Sequence, residues 1–162
     1  MRVKPVPEPP GAVEAVERIR EAVPLVPEPE ASCCERLASR TDVDPDAASD
    51  WLTFLRGLGL VREGETGFYR PHEEPDPALS EALLSGVYGA REVDALLDSR
   101  EPLTAEEVFE RFEAVPRWER HRDPDWEAFW GERVGRLLEW LVLVGLAERR
   151  EEGYVSRPGS RP

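Results

Sequence analysis

Among the side chains able to do chemistry, arginine and tryptophan are the ones that cluster in this 162-residue chain. Residues 116–130, PRWERHRDPDWEAFW, hold Trp118, Trp126 and Trp130, three of the five tryptophans, with Arg117, Arg120, His121 and Arg122 between them. Trp and Arg are common anchors of protein interfaces, and an aromatic ring beside a guanidinium can also stack unpaired bases. The plainer alternative is a core role: Trp126 and Trp130 are one helical turn apart and share a face, and the arginines would then balance nearby acids. A second set, Arg62 and Arg70, then Arg149 and Arg150 with Arg157 and Arg161 beyond, flanks two stretches patterned as hairpins. Such arginines make salt-sensitive phosphate contacts, or else pair with glutamates such as Glu63 and Glu151 on a solvated surface.

Catalytic chemistry finds little support. There is no Gly-rich phosphate loop, nucleophile elbow or helix-borne histidine pair, and carboxylate pairs such as Glu73 with Glu74 carry no weight where acids are this common. Cys33 and Cys34 are adjacent, which suits neither a disulfide framework nor a metal knuckle. With His72 and His121 as the only histidines, a closed zinc site would need carboxylates. The expectation is therefore no enzyme, no cofactor, no metal and no small-molecule substrate.

The composition has 34 acidic against 21 basic residues, a net charge of −13, with Lys4 the sole lysine and no Asn or Gln. It resembles the proteins of salt-in haloarchaea, and that resemblance implies acidity set by the solvent, not by a partner. The 40% hydrophobic content is too high and too periodic for an acidic disordered chain. No apolar run approaches the roughly 20 residues of a membrane span, and Arg2 and Lys4 lead into prolines instead of an apolar signal region. A cytoplasmic protein with no membrane partner is expected.

The elements that would position these groups follow from periodicity and caps. Residues 1–10 contain four prolines and read as a flexible tail. Val13, Val16, Ile19 and Val23 mark a first helix, and Cys33, Cys34 and Leu37 the inward face of a second. Asp44-Pro45 caps a third, with Trp51, Leu52, Phe54, Leu55 and Leu58 as its apolar stripe. Gly59 ends it, and a hairpin follows through Arg70. Asp76-Pro77 repeats the cap and predicts one helix to about Ser99, kinked at Gly86 or Gly89. Thr104 and Glu107 form a capping box for the next, and a long helix runs from about Asp123-Pro124 to Val144, followed by a hairpin over Leu146–Ser156.

The halves repeat each other. Phe54, Leu55, Leu58, Gly59, Leu60, Gly67 and Phe68 match Trp140, Leu141, Val144, Gly145, Leu146, Gly153 and Tyr154 at an offset of 86, while Cys33–Leu37 match Val108–Phe112 at 75. The difference places an insertion at about 116–126 in the second copy. The segments WLTFLRGLGLVREGETGFYR and LLEWLVLVGLAERREEGYVS resemble the winged-helix family, once per half. The fold implied is mainly α with small β-hairpins (α+β), two winged-helix modules in tandem: a tail at 1–10, module 1 at 11–71, a linker at 72–76, module 2 at 77–157 and a tail at 158–162.

That resemblance implies that a third helix enters the DNA major groove and a wing lies on phosphate. The residues fit this unevenly. The outward face of the first third helix would show Asp46, Ser49, Asp50, Thr53 and Arg56, a poor match to phosphate, and adenine cannot be read through Asn or Gln. The second shows Glu132, Gly135, Arg136, Glu139 and Val142, and beside Leu141, Leu143 and Val144 its end is apolar nearly all round, so a cover is expected from the other copy, from the 77–99 helix or from a second chain. Two functions stay open. One is a DNA-associated transcriptional regulator or accessory factor contacting duplex DNA through Arg56, Arg62, Arg70, Arg133, Arg136, Arg149 and Arg150. The other is a protein-binding scaffold or homodimer using Trp118, Arg120, Trp126, Trp130, Val142 and Leu143.

Overall fold

The computed structural model describes residues 4–72 and 78–157. The chain divides into two compact units, Pro10–Val87 and Met1–Pro9 with Tyr88–Pro162.

The first unit begins with α1 (Val13–Glu21), which buries Val16 and Ile19, and α2 (Glu30–Arg40), which buries Cys33 and Leu37. Cys34, expected inward, is only half-buried. The Asp44 side chain accepts the N–H of Asp46 and opens a 3₁₀ turn at Pro45–Ala47 that leads into α3 (Ala48–Gly57). All five residues of the expected apolar stripe, Trp51, Leu52, Phe54, Leu55 and Leu58, are buried. β1 (Arg62–Glu63) and β2 (Phe68–Tyr69) pair antiparallel, Arg62 opposite Tyr69. Glu28, between α1 and α2, bridges Phe68 and adds a third, single-residue strand.

The second unit repeats this order with α5 (Ala90–Leu96), α6 (Ala105–Arg111), an added α7 (Arg117–Arg122), α8 (Trp126–Leu143), β3 (Ala147–Arg150) and β4 (Gly153–Ser156). Ala147 pairs with Ser156 and Arg150 with Gly153. Leu103, between α5 and α6, bridges Tyr154. These bridges reproduce the repeat: Glu28 to Leu103 is the offset of 75, and Phe68 to Tyr154 the offset of 86. Gly67 and Gly153 explain why both hairpins need glycine there. Their φ angles are 146° and 141°, and a Cβ would run into the Glu28 carbonyl in one case and the Leu103 carbonyl in the other. The capping box of α6 is present, with both Thr104–Glu107 hydrogen bonds formed.

Two expectations are corrected. The single helix to Ser99 is two: α4 (Leu79–Gly86) and α5, separated by extended Val87 and left-handed Gly89. Gly86 lies so close to the Gly57 carbonyl of α3 that no side chain fits, which fixes α4 to the first unit. The two compact units meet in sequence at Val87–Tyr88. The Asp76-Pro77 cap lies outside the described residues. Residues 4–7, read as part of a flexible tail, are docked: Val6 is 2% exposed and Pro7 is buried.

Candidate functional site

What a winged helix can contact is set by the outer face of its third helix and by its wing. On α3 and the 3₁₀ turn before it that face carries exposed Asp46 and Arg56, with Ser49, Asp50 and Thr53 half-buried. Ser49 donates to Glu30 at 3.2 Å, and Arg56 forms an ion pair with Glu63 of the wing. The one guanidinium of the face is therefore already neutralised by a carboxylate.

On α8 the donors are arranged for a different use, and only Arg136 matches a position of that outer face. Arg133, Arg136 and Trp140 stand on one side of the helix, at i, i+3 and i+7. Arg133 Nη1 donates to the Lys4 carbonyl, Arg136 Nη1 to the Val6 carbonyl and Trp140 Nε1 to the Pro7 carbonyl, each at 2.8 Å. Arg133 also donates through Nη2 to the Tyr88 carbonyl at 2.8 Å and lies 5.5 Å from the Trp130 ring centre. It is 4% exposed, and burial draws its pKa down to about 10, so it remains a cation at neutral pH. Assigned to nucleic acid from the sequence, Arg133 is instead a buried structural cation, since a guanidinium this enclosed has no path to a phosphate. Arg136, one third exposed, also pairs with Glu132 at 2.8 Å. Segment 4–7 covers the middle of this helix, at Arg133, Arg136 and Trp140, while Val142, Leu143 and Val144 at its end are half-buried.

The wing arginines differ from these. Arg149 and Arg150, both on β3, keep side-chain exposures of 57% and 45%. Arg149 pairs with Glu139, which also accepts the Tyr154 hydroxyl, and Arg150 pairs with Glu148 at 3.5 Å. The pairing partners are Glu139 and Glu148, not Glu151. Arg62 is exposed on β1, whereas Arg70 turns inward and donates to the Val23 carbonyl at 3.2 Å. Arg149 and Arg150 are thus exposed on the two faces of the same wing strand, while Arg133 and Arg136 serve a different role. Arg161 lies outside the described residues.

The insertion divides between its two readings. Trp130 is fully buried, stacks on Phe112 with ring centres 6.1 Å apart, and donates to Glu119 at 3.3 Å. It is a core residue and not part of an outer surface. Trp126 is half-buried beneath Arg120, whose guanidinium lies 5.1 Å from the ring. Trp118 is 43% exposed, and Val142 and Leu143 are half-buried. The sequence reading missed the Lys4–Pro7 segment as a partner of α8; the signal available was the run of prolines, which supplies carbonyl acceptors without N–H donors.

Two helix–strand–helix–helix–hairpin units, each closed by a one-residue bridge to its hairpin, define a tandem winged-helix protein. The chain belongs to the halobacterial double winged helix domain family, whose model matches residues 1–161. No curated protein and no solved structure matches it. Winged-helix domains are in general DNA-binding regulatory modules without catalytic activity. Among the described residues no helix is long and apolar enough to cross a membrane.

Proposed function

We propose that the protein is a DNA-associated transcriptional regulator or accessory factor without enzymatic activity, and that it meets duplex DNA through the wing of the second unit instead of through either third helix. The observation that carries this reading is the exposure of Arg149 and Arg150, one on each face of β3, held by surface pairs that phosphate oxygens can replace. Surface ion pairs of this kind contribute at most about 1 kcal/mol, so exchanging a carboxylate partner for phosphate costs little. Family membership supports the class of ligand. Arg62 is a subsidiary contact on the first wing.

The test is a duplex titration by fluorescence anisotropy over a range of KCl, comparing the unaltered chain with Arg149→Glu/Arg150→Glu. Each lost phosphate contact lowers the slope of log K against log salt by about 0.9, so the double variant should lose a slope of roughly 1.8. Undetectable duplex affinity at the lowest salt in which circular dichroism shows a folded chain removes this reading.

A second reading, a scaffold for a protein partner, is favoured by Trp118, which stays 43% exposed beside a cavity of about 200 Å³ that it lines with Glu119, Arg122 and Asp123. Val142 and Leu143 on α8 would extend such a surface. A folded Val142→Asp variant with unchanged mass by light scattering and unchanged partner capture counts against this surface.

A further inference from the structure

Segment 4–7 and the outer side of α8 match as a ligand matches a receptor. Prolines at positions 5, 7, 9 and 10 fix φ and bias their preceding residues toward extended backbone. They also strip N–H groups from the segment, which leaves it rich in acceptors. The helix supplies donors only, through Arg133, Arg136 and Trp140. The spacings agree as well: an extended proline-rich chain rises about 3.1 Å per residue, separating the carbonyls of Lys4 and Pro7 by roughly 9 Å, while seven helical residues separate positions 133 and 140 by roughly 10.5 Å. Segment and helix therefore run in the same direction with their polar groups in step. Val6, 2% exposed, gives the ladder an apolar anchor. The paired residues lie 129 to 133 positions apart in sequence, so none of these contacts depends on local chain connection.

We propose that this side of α8 is a receptor for an extended proline-rich segment, and that the Lys4–Pro7 segment of a second copy of this chain fills it to give a tail-exchanged dimer. A second copy is the occupant because it carries the one sequence already seen to satisfy all three donors. Concentrated salt favours the exchange by screening the repulsion between two chains of charge −13. Within one molecule, the tether supplies an effective concentration on the order of millimolar. Exchange becomes measurable when the protein approaches that concentration or when the intramolecular pairing is spoiled.

The experiment mixes two full-length variants in molar KCl. Val6→Asp spoils the segment and leaves the receptor; Arg136→Ala/Trp140→Phe spoils the receptor and leaves the segment. Each alone should scatter as a monomer, and at a few hundred micromolar the mixture should contain at least ten-fold more dimer than either, competed away by a synthetic peptide of residues 1–10. A mixture that stays monomeric up to about 1 mM, with both variants folded by circular dichroism, overturns the proposal. Should either variant fail to fold, the unaltered chain is titrated with the same peptide carrying a spin label. Saturable broadening of the Trp140 indole N–H signal supports the exchange, and no broadening at millimolar peptide overturns it.

Discussion

The third helices of the two units hold the same place in the same topology and differ in what their side chains can donate. At the offset of 86, the three donors of α8 correspond to Ala47, Asp50 and Phe54 on and just before α3. None of those side chains can donate as Arg133, Arg136 and Trp140 do. The inward faces show no such divergence, because Leu52 and Leu55 correspond to Leu138 and Leu141 and all four are fully buried. The difference teaches that shared core packing and bridge geometry hold the repeat together, while the remaining positions of each third helix are free to take up a separate task.

The largest expected effect tests what the units share. Gly67→Ala and Gly153→Ala each place a Cβ against a bridging carbonyl at a positive φ, and each should cost about 3 kcal/mol or more in denaturant unfolding. A large loss in one unit with little in the other would break the equivalence of the bridges. The next test removes a difference. Trp140→Phe gives α8 the residue type that α3 has at Phe54, leaves the Pro7 carbonyl without its donor, and should destabilise the chain by about 1–2 kcal/mol. Amide exchange near residues 4–8 should rise in the same variant while the first unit is unchanged.

The smallest effect concerns the second helices. Thr104 caps α6 through a reciprocal hydrogen-bonded box, whereas Pro29, at the equivalent position by the offset of 75, gives α2 no side-chain cap. The backbone N–H and then the hydroxyl of Thr104 hold the Glu107 carboxyl below its ordinary pKa. A carboxyl lowered in the folded state contributes stability above its unfolded pKa, and that contribution is lost as pH falls through the lowered value. Acidification should therefore loosen the first turn of α6 and not that of α2, read as amide exchange across a pH series. Thr104→Ala should cost about 1 kcal/mol and weaken that pH dependence without removing it, because the backbone N–H of residue 104 remains.

The repeat was legible because both units obey period and punctuation: apolar stripes at helical spacing, a glycine after each third helix, and aromatic return strands. The Thr104–Glu107 box could be read for the same reason, since all its parts lie within four residues. What escaped was carried by contacts distant in sequence or by backbone. Segment 4–7 has no apolar period, and its meaning lies in carbonyls that only α8 makes use of. The break at Val87–Gly89 depends on Gly86 meeting Gly57, an approach that no local pattern announces. Among the candidate site residues, type alone could not separate Arg133, enclosed and bonded to carbonyls, from Arg149, exposed on a wing. Trp130 and Trp118 divide in the same way, one fully enclosed and one 43% exposed, although they are only twelve positions apart.

The bond from Arg133 to Lys4 also fixes an order of events during synthesis. Lys4 leaves the ribosome 129 residues ahead of its partner, a delay of roughly 6 to 25 s at about 5–20 residues per second. For roughly the last third of that interval, after Val87 has been made, Pro10–Val87 has every residue it needs to fold, while segment 4–7 still lacks its helix. Segment 4–7 is thus made before the first unit and docked after that unit has all its residues.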